Sequence, residues 1–372
     1  MIPDKEKIHY TKPSITALEI AYVHDAIENG WGEKCYDYVH KFGDAFKQLV
    51  GANHAIPTSS CTGAIHIALL SAGVGSGDEV IVPDLTWIAS ASPVTYVDAL
   101  PVTVDIKPDT WCIDPTKIEA SITPKTKAII AVHLYGNLCD MDQIMEIADR
   151  YGLIVIEDAA EAVGSIYKGK HAGTIGNFGA FSFHGTKTLT TGEGGMLVMK
   201  NESDYKVAST IADHGRNPTS KKQFWSERVG VKYRLSNIQA ALGLAQTERA
   251  DKLIGRKREI FSLYAERLGN ITGLIMNPNQ AETTNSYWMP TIFWDRNFAI
   301  KRESLLEHYQ RNNIDCRVVF YPISSLPCFP SRPENLVSYD LHDRGINLPS
   351  YFEITNKNID RVCEIFIRHA KL

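Results

Sequence analysis

The chain has 372 residues, more than a single hydrophobic core usually holds, so one large domain and one smaller domain are expected. Its composition, 44% hydrophobic and 22% charged, excludes a disordered or fibrous chain. With 43 acidic residues against 39 basic ones and no block of like charge, it lacks the basic footprint of a nucleic-acid binder. The longest apolar stretches, such as "KAIIAV" and "LIVI", are strand-length and far short of the ~20 residues that span a bilayer. No membrane segment is therefore expected. "MIPDKEKIHY" has neither the apolar core nor the cleavage site of a signal peptide, which predicts a cytoplasmic protein. Seven cysteines with no C-x-x-C pair read as reduced thiols, neither a disulfide framework nor a zinc site.

In chain order, "TGAIHIALLSAG" (Thr62 to Gly73) reads as a short helix closed by glycine. "DEVIVP", "KAIIAVHLYG", "LIVIED", "GAFSF" and "GMLVMK" read as strands. Their alternation with helical patterns predicts an α/β fold, a largely parallel sheet flanked by helices. One long helical pattern from Leu235 to Leu268 is expected to lead out of the large domain, giving domains at 1–245 and 246–372. Turn-rich segments follow, then a closing helical segment to Leu372.

The chemistry starts in "LIVIEDAAEAVG", which places Asp158 at the carboxyl end of a buried strand, the edge where open α/β sheets bind ligands. A carboxylate there needs a cationic partner. It reads equally well as the cap of a following helix. Lys187, in "SFHGTKTLTTGEGG", follows after a loop, a strand and a turn that can return it to the same edge; a surface lysine is the plainer reading. A lysine amine bonds covalently to an aldehyde, and an aspartate paired with a pyridine nitrogen keeps the ring an electron sink. Together they describe a pyridoxal phosphate site. "PTSSCTGAIHIAL" offers hydroxyls and a helix N-terminus for the phosphate, or an ordinary Ser/Thr cap. Trp87 could stack on the ring or pack in the core, and Ser182 could donate to the phosphate or satisfy local backbone. "GVGSGDEV" imitates a dinucleotide fingerprint but follows a helix and precedes a strand, the reverse of that motif. The twelve histidines show no metal-ligand spacing, so no metal is expected.

Over nearly its whole length the chain resembles the DegT/DnrJ/EryC1/StrS nucleotide-sugar aminotransferases. The segments that carry the resemblance are "GDEVIVPDLTWIASAS", "VHLYGNLCDMD", "VIEDAAEAVG", "FSFHGTKTLTTGEGGM", "KYRLSNIQAALGLAQ" and "RGINLPS". It implies the fold type I architecture of pyridoxal phosphate enzymes, with a smaller C-terminal α+β domain. "TTGEGGM" and "NIQAALGLAQ" look most like the branch of the perosamine synthases, which aminate C4 of a nucleotide-linked 4-keto-6-deoxyhexose. The resemblance implies that Lys187 bonds the cofactor and serves as acid and base, that Asp158 pairs with the ring nitrogen, and that Glu161 lies near the ring hydroxyl. It further implies Trp87 against the ring and Cys61, Thr62 and Ser182 at the phosphate. Lys232, with Arg234 as a substrate contact, is expected to act across the interface of a homodimer with shared sites, and L-glutamate is the expected amino donor. A dehydratase branch carries histidine at the position of Lys187, which argues for transamination here. "NGWGEKCYDYV" and "VFYPISSLPCF", with Ser324 and Ser325, depart from the family pattern and are expected to touch the sugar nucleotide.

Overall fold

The computed structural model describes residues 6–371. Seven strands form the large sheet, in the spatial order His54–Thr58, Gly195–Met199, Phe178–Ser182, Ile154–Asp158, Thr126–Val132, Glu79–Pro83 and Leu100–Val104. Only Gly195–Met199 runs against the others. Six carboxyl ends and the amino end of that one reversed strand therefore meet along a single edge. Alternate residues go to opposite faces, as the two-residue period of a strand dictates. Val155 and Phe181 pack on one side with Phe42 and Phe46, whereas Ile156 and Ala180 pack on the other with Ile65 and Leu69. Both faces are covered, which accounts for strands that are apolar along their length rather than alternating with polar residues.

The predicted strands are all present, four of the five shifted by no more than a residue at their ends. "KAIIAVHLYG" stops earlier than its apolar run, at Val132, because Leu134–Gly136 folds into a tight turn with Tyr135 at φ 57° and Gly136 at φ 95°. The predicted first helix spans Cys61–Ser71 and begins under a cap: Ser60 Oγ accepts the Gly63 amide at 3.0 Å.

The long helical pattern is two helices, Asn237–Glu248 and Ala250–Leu268. Arg249 lies between them with non-helical φ −104° and ψ 8°. Its guanidinium is drawn to buried Glu19 and donates to the Ser14 carbonyl at 3.1 Å and the Ser14 hydroxyl at 3.0 Å. A second, antiparallel sheet orders Leu274–Met276, Thr291–Trp294, Gly345–Asn347 and Arg317–Val318. It packs with Ala250–Leu268 and Asn356–Ala370 around Tyr264, Trp294 and Phe366. That last helix closes at Ala370, and Leu372 lies outside the described residues. Between the two sheets, Leu85, Trp111, Tyr135, Trp288 and Phe293 form a further apolar cluster, which binds the antiparallel sheet to the functional edge of the large one.

Candidate active site

A cleft of about 690 Å³ opens at the edge where the strand ends meet. Asp158 ends its strand inside it, nearly fully buried. One carboxylate oxygen accepts from Ser90 Oγ at 2.7 Å; the other accepts from the Ala160 amide at 3.1 Å and from the Cys61 thiol at 3.7 Å. All three donors are neutral, and Asp158 forms no ion pair among the described residues. A buried carboxylate held ready by neutral donors and facing a cleft fits a cationic ligand atom. The Asp158 side chain does bond the Ala160 amide, so the capping interaction read from the sequence is real, but no helix follows it.

Lys187 enters the same cleft. Its Nζ donates to Glu161 Oε1 at 3.1 Å and stands 3.8 Å above the centroid of the Trp288 ring. Glu161 is buried, and its other oxygen accepts the Tyr135 amide at 2.8 Å. Burial raises the Glu161 carboxyl above its usual range, with the Lys187 ammonium opposing that rise. The left-handed Tyr135 is thus a local strain that aims one amide at one carboxylate.

The end of the cleft at the start of the helix Cys61–Ser71 is built from close backbone approach. Gly195 pairs with Thr58 on one side and Ser182 on the other. A Cβ on Gly195 would stand 2.4 Å from Ser60 C and 2.6 Å from Cys61 N, so only glycine lets the start of the helix lie against the strand. The helix N-terminus, Thr62 and Ser182 then face the cleft together. The Cys61 thiol is turned to Asp158, and burial, with Asp158 nearby, pushes that thiol well up. Trp87 is half-exposed on the cleft wall, 5.7 Å from the Phe320 ring.

Lys232 and Arg234 lie outside this cleft. Both pair with Asp213 at 3.3 Å, and Arg234 also covers the Tyr36 ring at 4.6 Å. Of the two departing segments, "VFYPISSLPCF" brings Tyr321 and Leu326 to the cleft. Ser324 does not face it: its amide and hydroxyl both bond buried Asp84 at 2.7 Å, tying this segment to the end of a sheet strand. "NGWGEKCYDYV" does not line it either; Tyr38 of that segment bonds the side chain of Asn237. His133, given no role from sequence, is a buried structural residue. Its Nδ1 accepts the Cys139 amide, so its Nε2 carries the proton donated to Glu157 at 2.9 Å. Among the described residues no cluster of His, Cys, Asp and Glu could hold a metal ion, and no helix is long and apolar enough to cross a membrane.

Ser90, Tyr135 and Trp288 are the site residues that sequence reasoning missed. The one local signal was "SYWMP", an aromatic pair one residue short of a proline. Together the lysine, the uncompensated carboxylate and the capped helix N-terminus fit pyridoxal phosphate, which presents an aldehyde, a pyridine nitrogen and a phosphate.

Comparison with known proteins gives the same reading. The chain is 41% identical over 355 residues to the GDP-perosamine synthase of Escherichia coli O157:H7, covering 95% of this chain and 96% of that one. It is 39% identical over 366 residues to the GDP-perosamine synthase of Caulobacter vibrioides, covering 96% and 97%. Spr1654 from Streptococcus pneumoniae, solved in PMP and PLP forms, superposes with TM-scores of 0.91 and 0.90 at 27% identity, covering 98% of this chain and 98% and 99% of those chains. Residues 13–367 match the DegT/DnrJ/EryC1/StrS aminotransferase family, and the chain belongs to that family.

Proposed function

We propose that the chain uses pyridoxal phosphate to move an amino group from L-glutamate to C4 of a GDP-linked 4-keto-6-deoxyhexose, giving a 4-amino-4,6-dideoxy sugar. The observation that carries this reading is the convergence in one cleft of Lys187, buried Asp158 and the capped start of the helix Cys61–Ser71. The similarity to two GDP-perosamine synthases supports the nucleotide and the C4 position.

Asp158 would hold the ring nitrogen, the Cys61 and Thr62 amides with Ser182 the phosphate, Trp87 the ring face, and Glu161 the neighbourhood of the ring hydroxyl. When bound, the cofactor supplies an aldehyde carbon that carries the amino group and a ring that withdraws electrons from the carbon losing its proton. Asp158 keeps that ring nitrogen charged, and Ser90 fixes the carboxylate's orientation through its 2.7 Å bond. Lys187 Nζ takes the proton from the donor's α-carbon in the first half-reaction and delivers one to C4 of the sugar in the second. One water supplies the carbonyl oxygen as the donor leaves as a 2-oxo acid, before the sugar enters, and one lysine serves both halves. Trp87, Phe320 and Tyr321 add aromatic surface to the lining of the cleft.

Lys232 and Arg234 belong to this reading as residues lent to the cleft of a second subunit in a homodimer. Their position outside their own chain's cleft is compatible with that use. A cytoplasmic location completes it, supported by seven unpaired cysteines. The test is incubation with L-glutamate and a panel of GDP-, dTDP- and UDP-linked 4-keto-6-deoxy sugars, read by mass spectrometry. Ketone-to-amine conversion of the GDP sugar is expected. Conversion of only the dTDP or UDP sugars would overturn the nucleotide assignment, and no conversion at all would overturn the C4 assignment.

A further inference from the structure

The contacts around Lys187 close on themselves. Lys187 Nζ bonds Glu161 Oε1, and Glu161 Oε2 accepts the amide of Tyr135. The Tyr135 ring stacks on that of Trp288, with centroids 6.2 Å apart and planes 24° apart. Trp288 Nε1 donates at 2.9 Å to the carbonyl of Thr186, the residue just before the lysine. Its indole face then returns to Nζ at 3.8 Å. Trp288 therefore holds the lysine twice, by the backbone that carries it and by the charge at its tip. Buried indole is the best aromatic partner for an ammonium, and burial strengthens the attraction.

We propose that Glu161 and the indole face of Trp288 form a docking position for the free ε-ammonium of Lys187, with Trp288 as its positioning residue. In this position the protonated lysine waits between its proton transfers, with its charge matched on two sides. The geometry also assigns separate tasks to the two cleft carboxylates. Glu161 faces the amine, and Asp158, bonded only by neutral donors, stays available to the ligand.

The inference rests on Lys187 being the cofactor's lysine; a Lys187→Ala protein that kept a visible cofactor band would refute that reading and leave the docking geometry untouched. Docking itself is read on the full chain stripped of cofactor, by treating it with acetaldehyde and cyanoborohydride and following ethylation of Lys187 by peptide mass spectrometry. Trp288→Leu removes a buried cation–π contact, which predicts labelling at pH 7.5 faster by roughly threefold to thirtyfold. In the reloaded enzyme the same variant should lose kcat by at least about tenfold with KM for the sugar unchanged, because the amine is no longer held in line. Faster labelling with slower turnover is the signature; a residue that merely supported the fold would slow turnover without accelerating the label. Trp288→Phe keeps a ring face and loses the indole N–H, and should label within about threefold of the wild type. If the leucine variant does not fold, Glu161→Gln carries the test and should also label faster. Labelling that is unchanged or slower in a folded Trp288→Leu or Glu161→Gln protein overturns the proposal.

Discussion

Gly195→Ala is the substitution for which the structure gives the clearest magnitude. The added Cβ would lie 2.4 Å from Ser60 C, whereas ordinary contact begins at 3.4 Å. The start of the helix Cys61–Ser71 must therefore retreat by about 1 Å from the strand edge. Both obstructing groups are backbone, so no side-chain rotation relieves the clash. Overpacking of this kind costs about 1–3 kcal/mol of stability. The same retreat withdraws the Cys61 and Thr62 amides from the anion, and losing one charge-assisted hydrogen bond weakens binding by about tenfold to a hundredfold. Pyridoxal phosphate binding, followed by its visible absorbance, and the thermal midpoint should both fall. Gly75→Ala is the control, since a Cβ there meets nothing within 4 Å. If Gly195→Ala binds the cofactor as the wild type does, the anion site is not where the close approach places it.

Three further outcomes follow from the buried charges. Asp158→Asn should lower kcat by about a hundredfold or more, the effect of removing one preorganised electrostatic partner, while the cofactor remains attached to Lys187; a kinetic assay showing less than tenfold loss would refute its role. Glu19 is buried, which would raise its carboxyl, but bonds from Thr16 and Arg249 outweigh burial and lower it from its usual 4.5 to about 2. Its contribution to stability is full above about pH 4.5 and is lost as pH falls toward about 2. The gap in thermal midpoint between wild type and Glu19→Gln should therefore close between those values, and a constant gap would contradict it. Lys257 is buried, its amine donating to the carbonyl and hydroxyl of Ser350 at 2.7 and 3.1 Å, and burial lowers it from 10.5 to about 7. The unfolded chain binds more protons between those values, so this lysine makes stability rise with pH from about 7 to 10.5. Lys257→Met should flatten that rise in a series of thermal melts, and an unaltered slope would refute the assignment.

Sequence pattern showed what strand ends determine. Asp158 and Ser182 lie where apolar runs stop, and a parallel sheet brings such ends to one edge whatever the loops do. Lys187 followed from the loop, strand and turn after Asp158 that return it to the same edge, and the helix at Cys61 from its hydroxyl-rich start. What stayed hidden depends on contacts distant in the chain. Trp288 reaches Thr186 across 102 residues, a partner that its local stretch "SYWMP" does not disclose. Arg249 breaks a stretch of good helix formers with no glycine or proline at the break, because Glu19, 230 positions earlier, draws its side chain away. Ser324 sits in a segment that does reach the cleft, yet its own side chain turns to Asp84, a choice set by a buried carboxylate in need of donors. Burial raises that carboxyl, and Ser324 and Asn335 donate to it and oppose the rise.

Lys187, which lines the same cleft as Asp158, is on the proposed reading the residue that carries amino transfer. Borohydride reduction of the protein loaded with pyridoxal phosphate, followed by peptide mass mapping, tests this most directly. The cofactor's mass is expected on the peptide containing Lys187 and absent from the Lys187→Ala protein. Cofactor fixed to another lysine, or to none, would contradict it.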